Sequence, residues 1–190
     1  TLFRSRMKSE LPKVLHEVCG RPMVSHVISQ AKKAGAETII AVIGHGAEQV
    51  KEGLKEEEIL FALQEKQLGT GHAVMQAADR IPDEGDVFVL CGDTPLITSE
   101  TLAEFAAYHS GSNNAVTVLT AIYDNPFGYG RIIRGEDGNL QKIVEQKDAD
   151  ETEKAVKEVN AGMYCFNGAF LRENLPKLSN QNAQIGRAHV

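Results

Sequence analysis

The sequence has no long apolar run, which removes a large class of functions at the start. Its longest purely apolar stretches, such as residues 39–43 and 87–91, are five residues, whereas a membrane-crossing helix needs about 20. No secretory leader pattern is visible, so membrane insertion is not expected and the cytoplasm is the expected compartment. A basic excess is also lacking: 20 Lys and Arg stand against 26 Asp and Glu, a formal charge of −6. Nucleic-acid binders usually carry a basic face, so no nucleic-acid partner is expected. An anionic small substrate remains compatible, because backbone N–H groups and a few placed cations hold phosphates even on an acidic protein.

Cys19, Cys91 and Cys165 are odd in number and lack metal-ligand spacing. Cys91 and Cys165 sit in apolar, strand-like runs and are expected to be buried reduced thiols. His16, His26, His45, His72 and His109 show no ligand spacing either, and no Ser/His/Asp or Cys/His order is evident. Catalysis through histidine is therefore not expected. Repeats, low-complexity tracts and linkers are absent, and 190 residues suit one α/β domain with a sizeable core.

What is there is an almost unbroken alternation of helix and strand patterns. Residues 21–34 carry Met23, Val24, Val27, Ile28 and Ala31 as an apolar stripe, with Pro22 suited to a first turn and Gly35 as the stop. Residues 38–43 are β-branched and apolar on both faces, as a central strand is. A short polar helix over 47–55, a strand over 59–64, a helix over 71–80 and a buried strand over 87–91 follow. Ser99 is expected to cap a helix to about residue 108, and 115–123 reads as a further strand. The pattern then changes: 130–134 and 140–145 flank Glu136-Asp137-Gly138-Asn139, a strong hairpin signal. A strand over 160–166 and a helix over 169–175 end the run. The alternation predicts an α/β domain with a doubly wound, mostly parallel, Rossmann-like sheet and a β-hairpin insertion covering one edge.

Ligands of open parallel sheets bind at the carboxyl ends of strands, and several polar residues fall there. Asp93 follows the 87–91 run beside Gly92; its carboxylate suits Mg²⁺, and it equally suits a turn before Pro95. Gln64 and the stretch Gln67-Leu68-Gly69-Thr70-Gly71-His72 offer amides for an anion or a base edge, or simply a glycine-rich turn and cap. Arg6 and Lys13 lie in a polar stretch before the first helix, as phosphate-binding cations or as solvated charges. Gly130 lies at a bend where backbone could approach a ligand. Glu145 and Asn160 end strand-like runs, either as sugar-reading groups or as ordinary strand-end residues.

Taken in order, these pieces resemble the sugar nucleotidyltransferases. Arg6-Met7-x-x-x-x-Pro12-Lys13-Val14-Leu15-His16 resembles the second half of the signature that opens the family. Gln64 with Gln67-Leu68-Gly69-Thr70-Gly71-His72-Ala73, Cys91-Gly92-Asp93-x-Pro95-Leu96 and Gly128-Tyr129-Gly130-Arg131-Ile132 continue the match. Val144-Glu145-Gln146-Lys147-Asp148, Asn160-Ala161-Gly162 and Asn182-Ala183-Gln184 complete it. Each piece is unspecific alone; seven in register are specific. The set is similar to the uridylyltransferase domain of the bacterial bifunctional enzymes that make UDP-N-acetylglucosamine, a precursor for peptidoglycan and lipopolysaccharide.

The resemblance implies transfer of UMP from UTP to N-acetylglucosamine 1-phosphate with release of pyrophosphate. Arg6 and Lys13 would hold the triphosphate and stabilise charge during transfer. Gln64, Gly69 and Thr70 would read the uracil and its surroundings. Asp93 would bind Mg²⁺, with Cys91 and Gly92 on the nucleotide side; the position of Cys91 is often tyrosine in relatives. Gly130, Glu145 and Asn160 would hold the amino sugar. Another base or sugar, or a nucleotide-sugar-binding domain without turnover, is the alternative. Trimerisation is implied for a parent enzyme through a C-terminal domain.

Residues 1–5 and 185–190 fit neither neighbouring pattern and resemble translated adapter or vector sequence, so the nucleotidyltransferase domain is expected over 6–184. The glycine-rich loop of the family signature and the strand before it have no counterpart ahead of Arg6. The chain alone is therefore expected to be inactive.

Overall fold

The computed structural model describes residues 9–178; Arg6 and the two expected foreign tails lie outside them. After a 3-10 turn over Lys13–Leu15 come two-residue strands β1 (Glu17–Val18) and β2 (Arg21–Pro22), which pair antiparallel and lead into α1 (Met23–Lys33). Pro22 is the N-cap of that helix rather than part of its first turn. Strand β3 (Ile40–Ile43), α2 (Ala47–Gly53) and β4 (Leu60–Leu63) form a unit in which β3 and β4 pair in parallel. The intervening helix is what a parallel pair requires, since its connection must cross over. Leu15, Ile28, Ile43, Val50 and Leu54 close the core of this unit.

Next come α3 (Thr70–Met75), β5 (Asp86–Val89), α4 (Ser99–Ser112) and β6 (Val116–Ile122). Helix α3 stops earlier than expected, and Ala78–Arg80 forms a separate 3-10 turn. Thr98, not Ser99, caps α4: its Oγ1 accepts from Thr101 N at 3.2 Å, while Ser99 N donates to Gln30 Oε1 at 2.9 Å. The hairpin is as expected, β7 (Arg131–Arg134) pairing antiparallel with β8 (Leu140–Val144). Helix α5 (Glu151–Lys154) was not foreseen, although Asp150 and Glu153 form a capping box. The last elements are β9 (Glu158–Asn167) and α6 (Gly168–Asn174). Among the described residues no helix is long and apolar enough to cross a membrane.

The fold is α/β, but the direction of β9 is new information. It pairs antiparallel with β5, β6 and β7, so β5 and β6 run parallel to one another without being bonded. Strand β9 follows a hairpin and a one-turn helix, and no crossover of the βαβ kind dictates its direction. Strand β6 runs along one edge of β9. The other edge is shared, with Val159 facing β7 and residues 164–167 facing β5. Between these two partners the register slips, Leu119 opposing Met163 and Thr120 opposing Asn160. A bulge at residues 160–162 therefore sits where the end of β5 and the start of β7 diverge.

A second core of Ile81, Phe166, Leu171 and Leu175 backs this larger sheet. Cys165 is 0% exposed, and burial first, then the nearby Asp86 charge, pushes its thiol up to about 12. It is the reduced, buried thiol the sequence suggested. Cys91 is only half-buried and lies beyond the end of β5, and Cys19 is exposed.

Candidate active site

Lys13 and Asp93, eighty residues apart, meet: Lys13 Nζ lies 2.5 Å from Asp93 Oδ2. Burial of Leu15 positions the lysine. Its side chain, 7% exposed in the α1–α2 core, anchors the short turn that carries Lys13. Burying a leucine contributes about 1.5–3 kcal/mol, enough to hold a three-residue turn in place. On the other side, Asp93 lies in a turn rather than directly at the strand end. Thr94 Oγ1 donates to Cys91 O at 2.6 Å, and Ile97 N donates to Thr94 O at 3.2 Å. Gly92 brings the two loops together. A Cβ built there would stand 3.4 Å from both Val14 and Val24, so the backbone of the Asp93 loop packs directly on the residue after Lys13.

The Asp93 turn is also tied to the bulge in β9. Cys91 Sγ donates to Gly162 O at 3.3 Å, and Gly162 has φ +76°, a conformation that glycine adopts without a Cβ penalty. Asn160, at the other end of the bulge, accepts from Gly162 N at 2.8 Å and donates Nδ2 to Tyr164 Oη at 2.7 Å. Its own N–H donates to Gly130 O at 2.9 Å. Gly130 in turn faces Glu145: an added Cβ would lie 3.3 Å from Glu145 Oε1 and 3.2 Å from Ile143 Cγ2. Gly130, Glu145 and Asn160 therefore form one group, connected through the bulge to Cys91, Gly92 and Asp93. The fork between β5 and β7 brings them together.

Gln64, Gly69 and Thr70 form a third group at the start of α3. Gln64 N donates to Ile43 O at 2.7 Å, so this residue extends the β3–β4 ladder beyond Leu63. Its side-chain Nε2 donates to Gly69 O at 3.0 Å and lies 3.0 Å from His72 Nδ1. The amide is thus oriented from two sides, and Thr70 stays exposed at the first position of the helix. A surface depression of about 280 Å³ lies nearby, lined by Leu63, Glu65, Lys66, His72 and Gln76. It does not include Lys13 or Asp93; the converging polar groups, rather than surface depth, mark the site.

Several supporting residues were not singled out from sequence. Arg131 is 2% exposed, and its guanidinium donates to Tyr129 O at 2.5 Å and to Gln146 Oε1 at 2.7 Å. Gln146 Oε1 also accepts from Gly128 N at 3.1 Å, so Arg131 and Gln146 together brace the bend carrying Gly130. Arg131 lies in the quoted Gly-Tyr-Gly-Arg run, but nothing local distinguishes a buried arginine from a surface one. Tyr164 and His72, which orient Asn160 and Gln64, carry no signal beyond their place in apolar or glycine-rich stretches.

Asp93 is fitted for a hard cation. Its side chain is 34% exposed and that of Lys13 50%, so the pair is reachable and a carboxylate oxygen is the donor such an ion prefers. A lysine beside it supplies a mobile point charge for phosphate. The arrangement can bind an anionic, metal-linked group between two loops and hold a polar ring against the β5–β7 fork.

Comparisons with known proteins place the chain in a family. Residues 7–188 match the family model for nucleotidyl transferases. The chain is 55% identical over 179 residues to the bifunctional protein GlmU of Caldanaerobacter subterraneus subsp. tengcongensis, covering 94% of the chain and 39% of that protein. To the bifunctional protein GlmU of Alkaliphilus oremlandii it is 57% identical over 180 residues, 95% of the chain and 39% of the relative. The chain thus spans about two fifths of the curated relatives it matches. In fold it is similar to a glucose-1-phosphate thymidylyltransferase from Bacillus anthracis, with a TM-score of 0.74 at 19% identity, covering 92% of this chain and 70% of that one. It is likewise similar to an apo UDP-glucose pyrophosphorylase, with a TM-score of 0.69 at 19% identity, covering 92% of this chain and 76% of that one. With nearly its whole length matched by that family model, the chain belongs to the nucleotidyl transferase family.

Proposed function

We propose that this domain transfers UMP from UTP to N-acetylglucosamine 1-phosphate, giving UDP-N-acetylglucosamine and pyrophosphate. The observation that carries the reading is the meeting of Lys13 with Asp93 at 2.5 Å, a cation and a metal-fitted carboxylate at one point. The identity of more than 50% to proteins named GlmU supports the choice of base and sugar within the family.

Asp93 would hold Mg²⁺, which when bound neutralises phosphate oxygens and aligns the triphosphate. Lys13, no longer needed by the carboxylate, turns its ammonium to the phosphates and offsets the charge that develops as pyrophosphate leaves. Arg6, outside the described residues, is assigned the same task by its place in the family signature. Gln64, Gly69 and Thr70 contact the base, with the Gln64 amide held ready by Gly69 and His72. Glu145 and Asn160 orient the amino sugar, and Gly130 leaves room for it beside the Glu145 carboxylate. The acceptor phosphate is already ionised, so no side chain has to remove a proton. Catalysis rests on positioning and charge neutralisation.

The test is a chimera in which residues 6–184 replace the matching part of the Caldanaerobacter relative, assayed for pyrophosphate release. UTP with N-acetylglucosamine 1-phosphate should be the preferred pair, and Asp93→Asn should lower turnover at least about 100-fold, the scale of losing one principal electrostatic group. Full turnover in the Asp93→Asn chimera, or preference for another base or sugar, would overturn the reading. Tight binding without turnover would favour a ligand-sensing domain instead.

A further inference from the structure

A second cluster of reactive groups lies at the opposite end of β5. Asp86 opens that strand. Cys165 lies on β9 between Phe88 of β5 and Thr117 of β6. His109 comes from the last turn of α4. One ligand atom from each of the three lies within 4.8 Å of the others. His109 is 1% exposed and Cys165 0%, whereas Asp86 reaches solvent.

The histidine carries the unexplained feature. Its Nδ1 lies 2.7 Å from Thr117 Oγ1, which also accepts from Asn114 Nδ2 at 3.3 Å. Its Nε2 is buried without a hydrogen-bond partner, although Asp86 Oδ1 stands 3.5 Å away. An unpaired buried polar atom costs free energy. Here it faces a carboxylate and a sulfur, so three electron-pair donors of different kinds converge on one point.

We propose that Asp86, His109 and Cys165 bind a divalent transition-metal ion, with zinc the best match to one oxygen, one nitrogen and one sulfur donor. Zinc takes these at about 2.0–2.3 Å in a tetrahedron, which puts ligand atoms about 3.5 Å apart. The Asp86–His109 spacing already has that value, and with every pair within 4.8 Å none has to close by more than about 1.3 Å. The supporting contacts a metal site uses are in place. Thr117 orients His109, and Ser110 Oγ donates to Asp86 Oδ2 at 2.7 Å. Asp86 reaches solvent, from which a water would supply the fourth ligand. As the sulfur–metal bond forms, the Cys165 proton passes to solvent. The ion would fasten the start of β5, the end of α4 and the last part of β9. This chemistry differs from that of Asp93, whose oxygen donors suit a hard cation. A direct His109–Asp86 contact without a metal is the competing account.

Cobalt(II) is the probe. In a Cys19→Ser background the folded chain should take up one equivalent, with a near-ultraviolet thiolate-to-cobalt band and the visible bands of tetrahedral cobalt, both erased by zinc. Cys165→Ala should remove the thiolate band. Asp86→Ala, at an exposed position, should weaken uptake at least tenfold, and Ser110→Ala by about 10–100-fold as the loss of an orienting contact. Folding of each variant is checked by circular dichroism. A folded chain that shows no thiolate band, or an affinity unchanged by Asp86→Ala, overturns the proposal and leaves the His109–Asp86 contact as the explanation. None of these readouts involves nucleotide, so the outcome is independent of the proposed activity.

Discussion

Replacing Gly130 with alanine should separate sugar binding from stability. Gly130 is not among the glycines with positive φ, so an added methyl brings no backbone strain. That methyl would stand 3.2 Å from Ile143 Cγ2 and 3.3 Å from Glu145 Oε1. Comfortable carbon contacts begin at about 3.5 Å, so a neighbour must give by a few tenths of an ångström. Ile143 is held by the β7–β8 ladder opposite Ile132, and Gly130 itself by the bond from Asn160 N at 2.9 Å. The methyl also presses on the Glu145 carboxylate, and any shift of that group disturbs the sugar contact proposed for it. Losing one charge-assisted hydrogen bond to the sugar costs about 1.5–3 kcal/mol, or about 10–100-fold in affinity. Stability should hardly change: the reduced freedom of the unfolded chain contributes about 0.4–1 kcal/mol, which offsets the tight contacts. The melting temperature should stay within about 4 °C. Calorimetric titration with N-acetylglucosamine 1-phosphate and with UTP reads the result. The reasoning fails if folded Gly130→Ala binds the sugar phosphate normally, or if UTP affinity falls as much.

Thr98→Ala removes the cap of α4 and should cost about 1 kcal/mol, a fall of about 2–4 °C in a thermal melt. Ser99→Ala should cost less, because its backbone N–H and not its hydroxyl makes the bond to Gln30; the reverse order would remove Thr98 from that role. Arg134 grips Glu158 through two bonds, Nε to Oε2 at 2.8 Å and Nη2 to Oε1 at 2.6 Å, and this first of all holds the Glu158 carboxyl below its usual 4.5. A depressed carboxylate contributes stability above that unfolded value and loses it as pH falls through the folded one. Acid unfolding of Glu158→Gln should therefore show a shallower loss of stability below about pH 4.5, and a profile parallel to wild type would contradict the linkage.

Local features were legible from residues alone. The hairpin follows from Asp137-Gly138, where Gly138 N closes the turn on Gly135 O at 3.0 Å. The α5 capping box is equally readable in Asp150 and Glu153. Helix α1 and strand β3 follow from apolar periodicity, and the family signature carried the choice of Lys13, Asp93, Glu145 and Asn160. The signature, however, names residues without saying how they meet. The antiparallel course of β9, its two partners on one edge and the bulge between them create the fork that joins Gly130, Glu145 and Asn160 to Cys91, Gly92 and Asp93. Arg131 reads as an ordinary charge, yet it is 2% exposed and bonded to Tyr129 O and Gln146 Oε1. Spacing rules likewise find nothing in His109 and Cys165, which reach Asp86 only across three separate elements. Turns, caps and amphipathic faces depend on hydrogen bonds and side-chain periods spanning a few residues, so the sequence determines them directly. Strand direction and the meeting of residues eighty positions apart depend on how the whole chain packs, and only the tertiary structure decides them.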